Sequence, residues 1–514
     1  MRPHLLALVV ASGIYGQQNR RTGAPFDGFV SFSIEFSSFP DYAGNLSHPN
    51  QFSENLLNNI GNLQGTKSYI RVGGNTQDFV IYNPDLEVGL RGIINASKTI
   101  DYPSVIEIGN KFFESYHTWK DVKFSFGFNL GGNNDSGNFD SVLKLVPLAC
   151  KALARSKLYY WEYGNEPDQY ATSSRGPVRK RDWNESEYVE EWLNGTRAIR
   201  GEIKKACPEL QGSRYGYFGP SFAGLSTHLR SPRAWADGLN NDSIIKLFAS
   251  HNYISGSTTL GVTMSGTLLN HTNTKERVNV HAKNVETINP RVPHIWGETN
   301  SLFNQGRPNV SNAFGAALWG IDYNLYSAFK NVKRSHMHQG VNYRYQSWQP
   351  VATDNITIGT KPPYYGNIVV AAFIGNQRKP VRIAHLELGD GPFSSAYAAY
   401  VDGQLRRILV LNLNEYNYTL NGTGPGVNII PRPSREFSFD VSNGFSRKVG
   451  VQRLFANGSD AFTGITWDGW SYNYELDQGR PVRLRNATVG ETIAVDNGVV
   501  EVAVLDSQAV ILNL

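Results

Sequence analysis

From about residue 29 to 377 the chain alternates between short apolar runs and longer segments whose apolar residues recur at helical spacing. The runs fall at 29–36, 68–73, 123–130, 159–163, 215–219, 245–253, 294–298 and 335–340. Their length, their β-branched and aromatic side chains and the turn residues beside them predict strands. Between them, 52–63, 142–154, 185–206 and 312–329 repeat apolar positions every three to four residues and predict helices. Strand–helix alternation calls for a parallel sheet, and about eight repeats in this length fit a (β/α)8 barrel. The other α/β arrangement, a doubly wound open sheet, lacks its mark, since no run leads through a glycine-rich phosphate fingerprint into a helix.

After about residue 380 the pattern changes. Runs at 381–388, 396–401, 407–413, 437–441, 452–454, 492–495 and 499–514 alternate apolar with polar positions, and turns such as Asp390-Gly391-Pro392 and Asn443-Gly444 separate them. A period of two without helical spacing predicts a β-sandwich over 379–514, behind a barrel over 29–378. The fold class is therefore α/β, a TIM barrel followed by an all-β domain. At the other end, Arg2 and His4 precede an unbroken apolar run from Leu5 to Val10 and the small residues Ala11, Ser12 and Gly13. This is the layout of a cleaved secretory leader over about 1–16, with a buried first strand as the other reading. Residues 17–28 are expected to add an edge strand to the sandwich. No stretch reaches the ~18 consecutive apolar residues of a membrane span.

Composition narrows the function. With 40% hydrophobic and 18% charged residues the chain is not a disordered one. The surplus of 49 basic over 44 acidic residues is too thin for a nucleic-acid partner. Thirteen Asn-x-Ser/Thr sites, among them Asn45, Asn95, Asn184, Asn241, Asn309, Asn355, Asn417 and Asn486, fit the leader and a secreted glycoprotein. The two cysteines, Cys150 and Cys207, suffice for one disulfide but exclude a Cys-rich zinc site. No motif for a nucleotide or metal cofactor is present.

In a barrel of this kind function sits at the C-terminal ends of the strands. Those ends read Glu35, then Arg71 to Asn75, Asn129, Tyr163-Gly164-Asn165-Glu166-Pro167, His251-Asn252-Tyr253 and Trp296-Gly297-Glu298-Thr299-Asn300. Carboxylates at the tops of the fourth and seventh strands are the pair needed to cleave a glycosidic bond. One, protonated, donates to the departing oxygen. The other, ionised, attacks the anomeric carbon when the two stand about 5–5.5 Å apart.

Asn165-Glu166-Pro167 after an aromatic strand, with Glu298 on another aromatic strand, resembles the retaining glycoside hydrolases that carry acid/base and nucleophile on barrel strands four and seven. Phe32-Ser33-Ile34-Glu35-Phe36, Ile70 to Asn75 and the all-β C-terminal region narrow the resemblance to glycoside hydrolase family 79, which contains fungal and bacterial β-glucuronidases and animal heparanases. The resemblance implies that Glu166 is the acid/base, Glu298 the nucleophile and Asn165 the partner of the sugar 2-hydroxyl. It also implies a glycan or glucuronide substrate with β-linked glucuronic acid, bare or 4-O-methylated, at the reacting position. Exo-action is the leading expectation, with heparanase-like endo-action and a catalytically silent carbohydrate-binding protein as alternatives.

One departure from the family pattern concerns the sugar carboxylate. The loop after the seventh strand reads Ser301-Leu302-Phe303-Asn304-Gln305-Gly306, with Phe303 where a tyrosine is expected. Tyr343 and Tyr345 remain as donors, and the backbone N–H groups of Gln305 and Gly306 form a second possible cradle. Phe303 also opens the alternative of a neutral β-xyloside or β-glucoside.

Tyr253 is expected to donate to Glu298, and Glu35 and Asn129 to meet sugar hydroxyls. His251 and Arg71 read as structural, the latter as a barrel-end ion pair. His336 and His338 share one side of the eighth strand but lack a third metal ligand. The run Arg175-Gly176-Pro177-Val178-Arg179-Lys180-Arg181 reads as a solvated loop, a processing site or a guide for polyanionic glycans. Oligomeric state is not legible.

Overall fold

The computed structural model describes residues 7–9 and 22–514, apart from 133–135, 155, 174, 175, 377, 423, 425, 442–446 and 486. Eight parallel strands close a barrel in chain order: β1 (Val30–Glu35), β2 (Ile70–Gly73), β3 (Phe124–Phe128), β4 (Leu158–Tyr163), β5 (Tyr217–Phe222), β6 (Ile245–Gly256), β7 (His294–Phe303) and β8 (Ser335–Gln339). Six longer helices accompany them: α1 (Gln51–Gln64), α2 (Ser136–Leu153), α3 (Glu185–Ala206), α4 (His271–Ile288), α5 (Phe314–Phe329) and α6 (Pro362–Ile374). Asn184 starts α3 with a reciprocal capping box to Glu187, satisfying N–H groups that a helix start leaves unpaired. Cys150 in α2 and Cys207 beyond α3 form a disulfide with a Cα–Cα distance of 5.8 Å.

The period of two on β1 separates two environments. Phe32 and Ile34 join the apolar layer shared with the helices. Ser33 and Glu35 turn to the barrel interior, where they meet Arg71 and His338. One end of that interior holds the apolar cluster of Phe218, Leu247, Ala249 and Ile295. The end where the strands finish is polar, and the catalytic candidates sit there.

The second domain is an antiparallel array in the hydrogen-bonded order Ser434–Asp440, Val499–Leu505, Glu491–Asp496, Lys448–Phe455, Gln508–Asn513, Gln404–Asn412, Ser394–Val401, Val381–Leu386. The array folds over itself, so that Phe437, Phe439, Val500 and Val502 pack against Ala396, Ala398, Ile408 and Val510. On the alternate positions Tyr397, Ala399, Leu409 and Leu411 face the other way and join the core of the barrel side. Both faces of these strands are thus buried, one in the sandwich and one against the barrel.

The observed elements differ from the sequence expectations in four places. β7 runs to Phe303 and β6 to Gly256, well past the apolar stretches that signal them. The single run at 499–514 is two strands joined at Asp506-Ser507. A three-stranded sheet of Val80–Tyr82, Leu90–Ile93 and Val105–Ile108 follows β2 and was not anticipated. The expected edge strand over 17–28 is, among the described residues, an antiparallel bridge of Gly23 to Ile383; 17–21 lie outside the description. Most of the expected leader, Asn443-Gly444, Asn486 and Arg175 also lie outside it. Ala7–Val9 runs parallel to Ser434–Asp440. Among the described residues, no helix is long and apolar enough to cross a membrane.

Candidate active site

A cleft of about 900 Å³ opens at the C-terminal ends of the strands, lined among others by Asn75, Asn165, Glu166, Tyr253, Phe303 and Tyr345. Glu298, 6% exposed, accepts a hydrogen bond from Tyr253 of that lining. Two irregularities in the backbone aim the carboxylates into this space. The β6–β7 pairing skips from Ser250↔Trp296 to His251↔Glu298, so Gly297 is left without a partner there and Glu298 faces His251. Glu166 stands in the left-handed region at φ 50° and is followed by Pro167, a combination an L-residue adopts only under constraint. The constraint is visible: its N–H donates to the Ser221 carbonyl at 3.0 Å, and its own carbonyl accepts from the Gln169 N–H at 2.9 Å. Buried Asp168 fastens the same turn to the loop after β5, accepting from the Ala223 N–H at 2.9 Å and from the Thr227 hydroxyl.

The carboxylates have opposite surroundings. Glu166 Oε1 contacts His251 Nδ1 at 2.9 Å, and its Oε2 accepts from Gln169 Nε2 at 3.0 Å. Burial first, then the negative charge of Glu298, pushes its pKa up to about 8. Burial holds His251 down at about 4, so the imidazole is neutral near pH 7 and gives Glu166 no cationic partner. Glu298 receives the Arg71 Nη1–H at 2.7 Å on Oε2 and the Tyr253 hydroxyl at 2.8 Å on Oε1. Burial alone would raise its pKa, but the charges of His338 and Arg71 and the Tyr253 hydrogen bond outweigh it. The group is held far below its ordinary 4.5. A carboxylate oxygen of Glu166 and one of Glu298 lie within 4.8 Å of each other.

Arg71 is the hub. It is fully buried and, besides Glu298, donates through Nε to Glu162 (2.7 Å), through Nη1 to Ser33 (2.9 Å) and through Nη2 to Asn165 Oδ1 (2.8 Å). It therefore orients the Glu298 carboxylate and the amide beside Glu166 together. Glu162 accepts in turn from the Ser221 hydroxyl at 2.5 Å, which returns the network to the Glu166 turn. His338 lies between Glu35 (3.4 Å) and Glu298 (3.6 Å). Burial depresses its pKa, and the two carboxylates more than restore it.

Asn165, Tyr253, Gln305 and Tyr345 line the cleft with Glu166. Glu35 does not stand open to it: 1% exposed, it accepts from Thr76 N–H (2.8 Å), Thr76 hydroxyl (2.6 Å) and Tyr343 hydroxyl (3.0 Å). Tyr343 is accordingly committed to Glu35. Asn129 holds its own loop, donating to the Val80 carbonyl and accepting from the Gly132 N–H. The Gly306 N–H, proposed above for a sugar carboxylate, is already given to the Leu302 carbonyl at 3.0 Å. In the basic run, Arg179 is a structural residue. It is 9% exposed, pairs with Glu191 and donates to the Leu130 and Gly131 carbonyls. Sequence reasoning missed Glu162, Asp168 and the role of His338, because each acts through a partner on another strand or loop.

Paired carboxylates of opposed protonation at the open end of a TIM barrel are the machinery of a glycoside hydrolase. The C-terminal part, residues 396–511, matches the glycosyl hydrolase family 79 C-terminal beta domain. Over 489 residues, 90% of this chain and 88% of the relative, the sequence is 54% identical to a β-glucuronidase of Neurospora crassa. A β-glucuronidase of Aspergillus niger is 52% identical over 495 residues, 95% of this chain and 90% of that one. The chain belongs to glycoside hydrolase family 79. Its fold matches the solved 4-O-α-L-rhamnosyl-β-D-glucuronidase of Fusarium oxysporum, with TM-score 0.77, 23% identity and coverage of 96% and 97% of the two chains. An α-L-arabinofuranosidase of Thermotoga maritima shares the architecture more distantly, with TM-score 0.59, 14% identity and coverage of 96% and 98%.

Proposed function

We propose that this enzyme is a secreted, retaining β-glucuronidase that removes terminal β-linked glucuronic acid, with Glu166 as acid/base and Glu298 as nucleophile. The observation that carries the mechanism is the pair itself: carboxylate oxygens within 4.8 Å, one group biased to stay protonated and the other to stay ionised. That spacing leaves no room for a water between sugar and base and favours attack by the carboxylate. Glu166 passes its proton to the glycosidic oxygen while Glu298 attacks the anomeric carbon, giving a glycosyl ester and the free alcohol. Glu166, now ionised, takes a proton from water. The water oxygen displaces Glu298 and releases the sugar with its β configuration. Asn165, held beside Glu166 by Arg71 and Asn75, serves as the partner of the 2-hydroxyl of the reacting sugar.

Support for the sugar comes from the two fungal relatives of more than half identity, both β-glucuronidases. Support for secretion comes from the apolar N-terminal run and from the exposure of Asn45, Asn95, Asn241, Asn309 and Asn355, where a glycan can be attached. Initial rates on matched aryl β-glucuronide, β-glucoside and β-xyloside test the substrate, and the glucuronide is expected to lead. Proton NMR of the first-formed sugar tests the stereochemistry. The β anomer is expected, and an initial α anomer rejects the double displacement.

A further inference from the structure

The residues facing the reacting sugar, Asn165, Gln305 and Tyr345, come from the ends of β4 and β7 and from the segment after β8. The alcohol leaves from the Glu166 side, and one wall of the cleft is the arc over β5 and β6 between the two carboxylates, which includes Thr227, Tyr253, Arg277 and Val280. Two side chains converge on the end of β6 there. The Phe303 ring, 47% exposed, lies over Gly256, where a Cβ would come within 2.5 Å of its Cζ; only glycine admits the ring. Its edge meets the Tyr253 ring at a centroid distance of 6.4 Å. The exposed Arg277, from α4, reaches the Ile254 carbonyl two residues before Gly256, with Nη2 at 3.2 Å. It lines the cleft, and among the described residues it has no carboxylate partner.

The surrounding wall is prebuilt. Arg307 clamps the loop after β6 by donating to the carbonyls of Ser257 (2.6 Å), Thr259 (2.8 Å) and Val262 (2.7 Å). Val280, 49% exposed and one turn along α4 from Arg277, adds apolar surface to the same side of the cleft. An exposed ring, an apolar flank and an unpaired guanidinium on a fixed backbone constitute a recognition surface, because a flat apolar face stacks on the ring while a planar oxyanion fits the guanidinium fork.

Building on the proposed hydrolysis, the geometry points to an aglycone subsite at the end of β6 in which Phe303 receives an apolar face and Arg277 an oxyanion, carboxylate or sulfate. Phe303 thereby belongs to the leaving-group side of the cleft rather than to the sugar carboxylate. The enzyme is tuned to acidic aglycones.

The test uses aryl β-glucuronides matched in leaving-group pKa whose rings carry a carboxylate, a sulfonate or a neutral amide. The quantity read is the ratio of kcat/KM for the charged to the neutral aglycone, which cancels any loss of folded enzyme. In the wild type at low salt the ratio is expected to exceed one. Arg277→Gln should lower it roughly tenfold, the scale of a lost hydrogen bond to a charged group. Added salt should shrink the wild-type ratio and leave the variant's alone. Comparing carboxylate with sulfonate tells which oxyanion the site favours. Phe303→Ala should weaken all three aryl substrates against methyl β-glucuronide. A ratio near one in the wild type, or one unchanged by Arg277→Gln, overturns the subsite. Should glucosides be cleaved in place of glucuronides, the proposed sugar is wrong, and the same ratio measured on aryl glucosides still decides on Arg277.

Discussion

The open end of the barrel and the core of the sandwich are equally buried and oppositely built. In the sandwich, Phe437, Phe439, Val500, Val502 and Val510 belong to one apolar cluster, and burial there stabilises the fold directly. At the barrel end, Arg71, Glu162, Glu298 and Glu35 are at most 6% exposed, with Glu166 beside them. Charges taken out of water are costly unless paired, and even paired ones stabilise less than apolar packing of the same volume. Here each is paired, yet two carboxylates are left facing each other with one proton between them. The sandwich is organised for stability, while the barrel end gives up stability to hold two like groups in different protonation states.

That contrast is breakable first at Glu298. Glu298→Gln keeps the shape and removes the proposed nucleophile, and kcat/KM on any aryl glycoside should fall by ~10⁴-fold or more, as with other lost nucleophiles. Survival of even a tenth of the activity would move the nucleophile elsewhere. Glu166→Ala should cost less and do so selectively. A poorly leaving alkyl aglycone should slow by ~10²–10⁴-fold, while an activated nitrophenyl one, which needs little protonation, should slow far less. Equal losses would remove Glu166 from the acid role. On the other side of the comparison, Phe439→Ala in the sandwich should cost about 3–5 kcal/mol of stability, from lost burial and the cavity left behind. It should leave kcat per folded molecule unchanged, measured by denaturant titration beside active-site-normalised rates. A drop in kcat would mean that the sandwich does more than support.

The two regions also differ in how much of them can be read from the chain. Most of the longer sandwich strands and all eight barrel strands announce themselves because burial on one or both faces imposes apolar periodicity. The sheet after β2 does not: its strands are only three or four residues long, and while Val80, Ile106 and Ile108 are buried, the apolar Ile81, Ile93 and Val105 are exposed, which blurs the alternation. In the site, Glu166, Asn165 and Glu298 are legible from the neighbours they have in sequence. Arg71 is visible as a residue but not as the hub, since its partners lie 91, 94 and 227 positions away. The assignments of Glu35 and Asn129 to sugar contact rest on position at a strand top, and that of Tyr343 on the family resemblance; neither says what a neighbouring loop has already claimed. Phe303 is legible as a missing hydroxyl, whereas its place over Gly256 depends on β6 and β7 both continuing past their apolar cores.

The pH dependence of folding tests the stability half of the comparison. The Glu166 carboxyl titrates near 8 in the folded protein, against an ordinary 4.5. Between those values the folded state keeps a proton that the unfolded chain releases. Folding stability contributed by this group is therefore complete below about pH 4.5 and drains away as pH rises toward 8. Glu166→Gln carries a permanently neutral group of the same size and has nothing to release. Its stability relative to wild type should grow steadily from pH 4.5 to pH 8. Melting midpoints of the two proteins across that range, taken in one buffer system at constant ionic strength, read the difference directly. A gap that stays constant with pH would mean that Glu166 is not held protonated by its surroundings. A gap of the opposite slope would mean that the carboxylate, rather than the acid, is what the folded site prefers.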